Sequence, residues 1–200
     1  MTLRIAAALA KPPAMSTEHQ RLVIKSVHAP LAAEWLGAQT SATIIVVVRD
    51  PLNVISSWLD LGYEVCQLAR NPDVFETFGD VLNLREPPET ASRLTLITWE
   101  VALMMPALRL GLMRHPQWVE VSHEELCLNL PGGFEGLFQR LAIPWSVAVD
   151  QSLREFNRRG NNPSETYRIA RELPGRWRKT LSDHQLAEVG EVLAGFPLLS

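Results

Sequence analysis

The chain has 200 residues, 46% of them hydrophobic and 20% charged, and a net charge of −3 with histidine neutral. That length suits one domain, 1–200, able to bury roughly two thirds of its extended surface. The balance argues against nucleic acid as a partner, since binding to a polyanion needs a basic surface.

Two cysteines, Cys66 and Cys127, stand far apart, so neither a disulfide framework nor a cysteine metal motif follows. His115, His123 and His184 lack metal-ligand spacing, and no metal is expected. Residues 1–20 are poorly defined: their apolar run, Ile5 to Ala10, is shorter than that of an ordinary secretory signal. Residues 101–113 are apolar but too short to span a bilayer and are interrupted by Pro106 and Arg109. The expectation is a soluble, cytoplasmic chain without a transmembrane segment.

In chain order, residues 21–26 (RLVIKS) form a short, β-branched apolar run that predicts a strand. Residues 29–36 predict a helix, with Pro30 in its first turn and Gly37 ending it. Residues 43–48 (TIIVVV) read as a central parallel strand covered on both faces. Asp50 then suits an N-cap and Pro51 a first helical position, for a helix reaching about Ala69. Residues 73–88 are expected to be irregular, and 89–114 to form a long helix bent at Pro106. Its stripe is Leu94, Ile97, Val101, Met104, Met105 and Leu108. Residues 118–122 (WVEVS) alternate as a third strand. Short helices follow over 124–129, 134–142 and 151–159; 163–176 reads as irregular, and Ser182 caps a last helix over 183–194. Strands spaced by helices predict an α/β domain of three layers, α/β/α, with a short parallel sheet.

Ligands of open α/β sheets sit beyond the carboxyl ends of the strands. Arg49 directly follows the 43–48 run. The first-turn amides of the next helix and its dipole favour an anion at the same rim. Ser57 follows eight residues after Arg49, so a forked donor and a hydroxyl donor could share one phosphate or sulfate. The alternative is a salt-bridged Arg49 and a packing Ser57. Residues 151–180 add eight basic side chains against three acidic ones, read either as an anion-binding patch or as a solvated helical surface.

The segment RDPLNVISSW (49–58) resembles the 3′-phosphate-binding motif of the sulfotransferases that use 3′-phosphoadenylyl sulfate (PAPS). Other segments are similar to that family in the same order: LVIKSVHAPLAAEWL (22–36), WVEVSHEELCLN (118–129, with His123 where a Tyr is usual), FEGLFQRLAIPW (134–145) and GRWRKTL (175–181). The resemblance covers roughly residue 21 to the C-terminus. It implies a P-loop NTPase-like sulfotransferase fold and transfer of a sulfuryl group from PAPS to a hydroxyl of a small molecule, lipid or glycan. Family members begin with a strand and a phosphate loop close to PKSGTTWL, whereas Lys11, Pro12 and Pro13 bring neither glycine nor a Ser-Thr pair. The expectation is therefore an N-terminally truncated form of that fold.

The resemblance also implies roles. His28 would be the base and Lys25 a charge near the phosphosulfate; the alternatives are a capping or surface His and a strand-end Lys. Arg49 and Ser57 would hold the 3′-phosphate, Arg178 and Lys179 would add charge there, and Arg171 and Arg168 compete for a further ligand role. Trp177 would stack on the adenine or pack the last helix. Glu124 and Glu125 would orient the basic C-terminal segment or hold a loop. The competing expectation is a non-catalytic homologue, a structural or interaction protein with weak or no binding of 3′,5′-phosphoadenosine. Self-association as a homodimer is left open.

Overall fold

A computed structural model describes residues 22–27, 29–160 and 167–196. The apolar run around Val46 forms strand β1 (Ile45–Val48), and the alternating run after Trp118 forms β2 (Val119–Ser122). The two strands pair in parallel, Ile45 opposite Val119 and Val48 opposite Ser122. Both therefore end at one rim, and a helix starts from each end: α2 (Pro51–Asp60) and α5 (His123–Leu128).

The remaining helices are α1 (Ala33–Gln39), α3 (Pro72–Leu82), α4 (Arg93–Arg114), α6 (Gly132–Arg140), α7 (Val147–Phe156) and α8 (Asp183–Leu193). Single 3-10 turns lie at Pro30–Ala32, Leu68–Arg70, Ala170–Glu172 and Arg176–Lys179. The chain is thus α/β and mostly helical, with a two-stranded parallel sheet among the described residues.

Several expectations are corrected. The run 22–26 pairs with no described strand, and Leu22, Val23 and Ile24 are more than four-fifths exposed. A β-branched run becomes a strand only where a neighbour takes its backbone hydrogen bonds. The helix expected to reach Ala69 stops at Asp60, where Gly62 at φ 65 turns the chain away. The region expected to be irregular contains α3, capped by Asn71 accepting from the Asp73 amide. Gly37 lies inside α1 rather than ending it.

Helix α4 runs unbroken through Pro106 and supplies both hydrophobic clusters. Leu94, Ile97 and Val101 meet Ile55 and Val189 on one side. Trp99, Ala102, Leu103 and Ala107 meet Ala69, Leu82 and Phe196 on the other. Its length and apolarity would suffice to cross a membrane, but half of the apolar stretch is buried inside the fold, against α8, α2 and α3. Ser92 caps it, accepting from the Thr95 amide, and both hydroxyls donate to Glu188 on α8. Those two donors hold the Glu188 carboxyl below its ordinary range.

Gly111 lets α4 approach the ring of Trp118, because a Cβ there would lie 2.5 Å from Trp118 Cζ3. Trp118 is itself stacked on His115 at 4.8 Å and cannot swing freely. Gly111→Ala is expected to cost about 1–3 kcal/mol as overpacking, seen as a lower Tm in thermal denaturation.

Glu100 is a carboxyl in the middle of this core, fully buried on α4. Its Oε1 accepts from the Leu68 amide at 3.3 Å, and Oε2 has no partner. Burial pushes its pKa up; the amides of Leu68, Cys66 and Gln67 oppose that shift. The native state then holds the proton more tightly than the unfolded chain. Stability is fullest below the unfolded carboxyl range and declines as pH rises through the raised native value. Glu100→Gln should therefore gain on the wild type as pH increases across that window and show no such gain below it, measured by urea denaturation at several pH values.

Candidate functional site

The rim where β1 and β2 end brings Arg49 together with Glu124, Trp177 and Arg178, a minority of the side chains that the sequence singles out. Arg49 follows β1 directly and is half-buried. Among the described residues its guanidinium makes no hydrogen bond or ion pair, and its Nε is enclosed without a partner. Burial lowers its pKa, and Glu124, Cys127 and Asp50 draw it back up. Arg49 is thus a partly desolvated charge with carboxylates near it but none in hydrogen-bond contact among the described residues.

The amides beside it are not open, in contrast to the expectation from the helix start. Asp50 Oδ1 accepts from the Leu52 amide at 2.8 Å, and the Asn53 amide bonds to the Asp50 carbonyl at 3.0 Å. Pro51 has no amide hydrogen to offer. The Asp50 amide donates to Glu124 Oε1 at 3.2 Å, and the Asn53 side-chain amide donates to the same oxygen at 3.3 Å. An internal carboxylate from the start of α5 thus occupies the corner that α2 offers. Glu124 so ties the turn between β1 and α2 to the start of α5.

Asn53 is the residue that sequence reasoning missed. It is 1% exposed, and its side chain connects Glu124 to the Trp177 amide, the latter at 3.5 Å. The available signal was a polar side chain in the first turn of a helix, on the face that α2 turns inward beside Ile55 and Ser56.

Trp177 belongs to the corner as well. Its Nε1 donates to Asp50 Oδ2 at 3.1 Å, which docks it on the start of α2. Arg178 lies over its ring at 4.4 Å, a cation–π contact. Gly175 sits at φ 72, and the space where a side chain would stand is filled by Arg178. The positive φ favours a glycine in the GRW segment, while the Arg178 end that fills the space could shift aside. Arg176 pairs with Asp60 at 3.3 Å, tying the same turn to the far end of α2.

His123 closes the floor. Its Nδ1 lies 3.5 Å from Glu124 Oε1, and Cys127 Sγ is 3.6 Å from its Nε2. Burial, with Arg49 nearby, lowers its pKa, which keeps the ring neutral at neutral pH. Burial raises the Cys127 thiol, so it is protonated and unreactive there.

The other expected site residues are dispersed. Ser57 is half-buried, six residues into α2 and about 9 Å along its axis from Pro51. Its hydroxyl has no hydrogen-bond partner among the described residues. Lys25 is exposed, and Lys179 is exposed on the turn that carries Trp177. Arg168 is held by backbone, donating to the Tyr167 carbonyl at 2.6 Å. Arg171 lines a separate pocket with Arg158 and Arg159. Among the described residues no hydrogen bond joins Arg171 to the Arg49 corner. His28 lies outside the described residues. No group of three or more His, Cys, Asp or Glu able to hold a metal exists among the described residues.

The corner therefore consists of the Arg49 charge, the Trp177 ring docked on Asp50, and two carboxylates, Asp50 and Glu124, that are already hydrogen-bonded. No protein-family model matches the chain, no curated protein matches it in sequence, and no solved structure matches it in fold.

Proposed function

We propose that the protein is a PAPS-dependent sulfotransferase whose Arg49 corner receives the 3′-phosphate of the nucleotide. The observation that carries this reading is the half-buried, unpaired Arg49 guanidinium at the carboxyl end of β1. The Arg-to-Ser spacing of the 49–58 segment and the docking of Trp177 beside it support the same reading. The acceptor is an organic hydroxyl of a small molecule, lipid or glycan, and the place of action is the cytoplasm.

In this reaction an acceptor oxygen forms a bond to the sulfur of PAPS as the bond from sulfur to the phosphate oxygen breaks. The proton of the hydroxyl goes to a base, and 3′,5′-phosphoadenosine leaves with the electron pair. His28 is the base in this reading, and Lys25 meets the negative charge of the leaving phosphate. Arg49 acts away from the reacting sulfur: it fixes the far end of the nucleotide and so sets the direction of attack.

One observation favours the second reading, a non-catalytic homologue. Glu124 and Asp50 already take the amides that a phosphate would use. The two readings separate by calorimetry with 3′,5′-phosphoadenosine and with 5′-AMP, on the wild type and Arg49→Ala. The sulfotransferase reading expects a preference for the 3′-phosphorylated nucleotide that disappears in the variant. No binding at millimolar nucleotide, or equal binding of both nucleotides, would leave the corner as a structural junction.

A further inference from the structure

Three arginines of the basic stretch 151–180 line an open pocket of about 510 Å³ next to α5: Arg158, Arg159 and Arg171. Among the described residues no acidic side chain lines it. Leu128, Leu130 and Ile169 supply an apolar wall. The two sides are locked together, because Asn157 Oδ1 accepts from the Ala170 amide at 2.8 Å.

The three guanidiniums are only partly engaged. Arg158 donates through Nε to the Glu155 carbonyl and lies over the Tyr167 ring at 3.9 Å, which fixes its position without cancelling its charge. Arg159 has a loose, exposed pair with Glu172 at 3.7 Å, an arrangement that neutralises little. Arg171 has no hydrogen-bond or ion-pair partner among the described residues. Like charges converging on one cavity repel, and an anion relieves that repulsion. The apolar wall rewards a ligand with a hydrocarbon part.

We propose that this pocket binds an organic anion, a phosphate or sulfate monoester with an apolar tail, at a site separate from the Arg49 corner. The head lies among the three arginines and the tail lies against Leu130 and Ile169. Cys127 marks the boundary, since it lines the pocket while feeling the charge of Arg49. The proposal stands or falls without the sulfotransferase reading.

The experiment is calorimetry on the full chain with octyl phosphate and octyl sulfate below their micelle concentrations, beside inorganic sulfate and octanol. The two esters show which head the pocket prefers; binding of either supports the site. Both parts of the ligand are needed, so sulfate alone and octanol alone should each bind at least about tenfold more weakly than the better ester. Arg171→Ala should weaken the ester by about tenfold or more, and Arg171→Lys should restore part of the loss. Arg171 is exposed and has no partner among the described residues, so its variants should keep the wild-type circular dichroism spectrum. Arg49→Ala should leave ester binding unchanged. Equal binding of octanol, indifference to Arg171→Ala, or loss of ester binding in Arg49→Ala would each overturn the proposal.

Discussion

Replacing Arg49 by alanine is expected to weaken 3′,5′-phosphoadenosine binding by about 10- to 100-fold, the worth of a charge-assisted hydrogen bond to phosphate. The same change should leave folding stability unchanged or slightly higher. Those two outcomes rarely occur together. A structural arginine costs stability when removed, because its ion-pair partner is left unpaired. Arg49 has no such partner among the described residues, and its guanidinium is partly desolvated with Nε enclosed. Its removal relieves a burial penalty, which offsets the lost attraction of Glu124 and Asp50 and the lost packing of the aliphatic stem. Calorimetry gives the first quantity and urea denaturation the second. A destabilised variant would instead mark Arg49 as part of the scaffold.

Glu124→Ala should show the opposite pattern, a loss of about 2–4 kcal/mol in urea denaturation, because two donors lose their shared acceptor. One is the Asp50 amide and the other the side chain of Asn53, which is almost fully buried and cannot turn to water. Glu124→Gln keeps an acceptor oxygen, so its cost should be about half as large or less. It also removes a negative charge next to Arg49, and nucleotide affinity should rise. If Glu124→Gln binds the nucleotide no better than the wild type, the carboxylate does not compete with a phosphate for the corner.

These predictions depend on contacts that the sequence showed only in part. The strand–turn–helix from Ile45 to Asp60 was legible because each of its signals is local. A continuous apolar run, an N-capping Asp and a Pro at the first helical position act within a few residues of one another. The cap of α8 was legible for the same reason, with Ser182 and Gln185 bonding reciprocally. The run 22–26 begins with apolar residues of strand propensity, yet only β1 has a described neighbour to pair with. Helix α3 carries the same local signals, an Asn cap, a Pro at the first position and apolar residues at helical spacing (Val74, Phe75, Phe78, Val81, Leu82), but in sequence Asn71 and Pro72 read as ending the preceding helix rather than starting this one.

The sequence by itself determined where Arg49 stands relative to β1 and α2, since chain geometry places a residue one step beyond a strand at the rim of the sheet. It could not determine whether that rim is open. Glu124 lies 74 residues from Asp50, and Trp177 lies 127 from it. Only the parallel register of β1 with β2 brings the start of α5 beside the start of α2. The same tertiary arrangement drew Trp177 onto Asp50 and moved Arg171 into a pocket of its own. Local propensities act over a turn or two of chain, whereas hydrogen-bond satisfaction is decided by whichever groups the fold brings within about 3 Å.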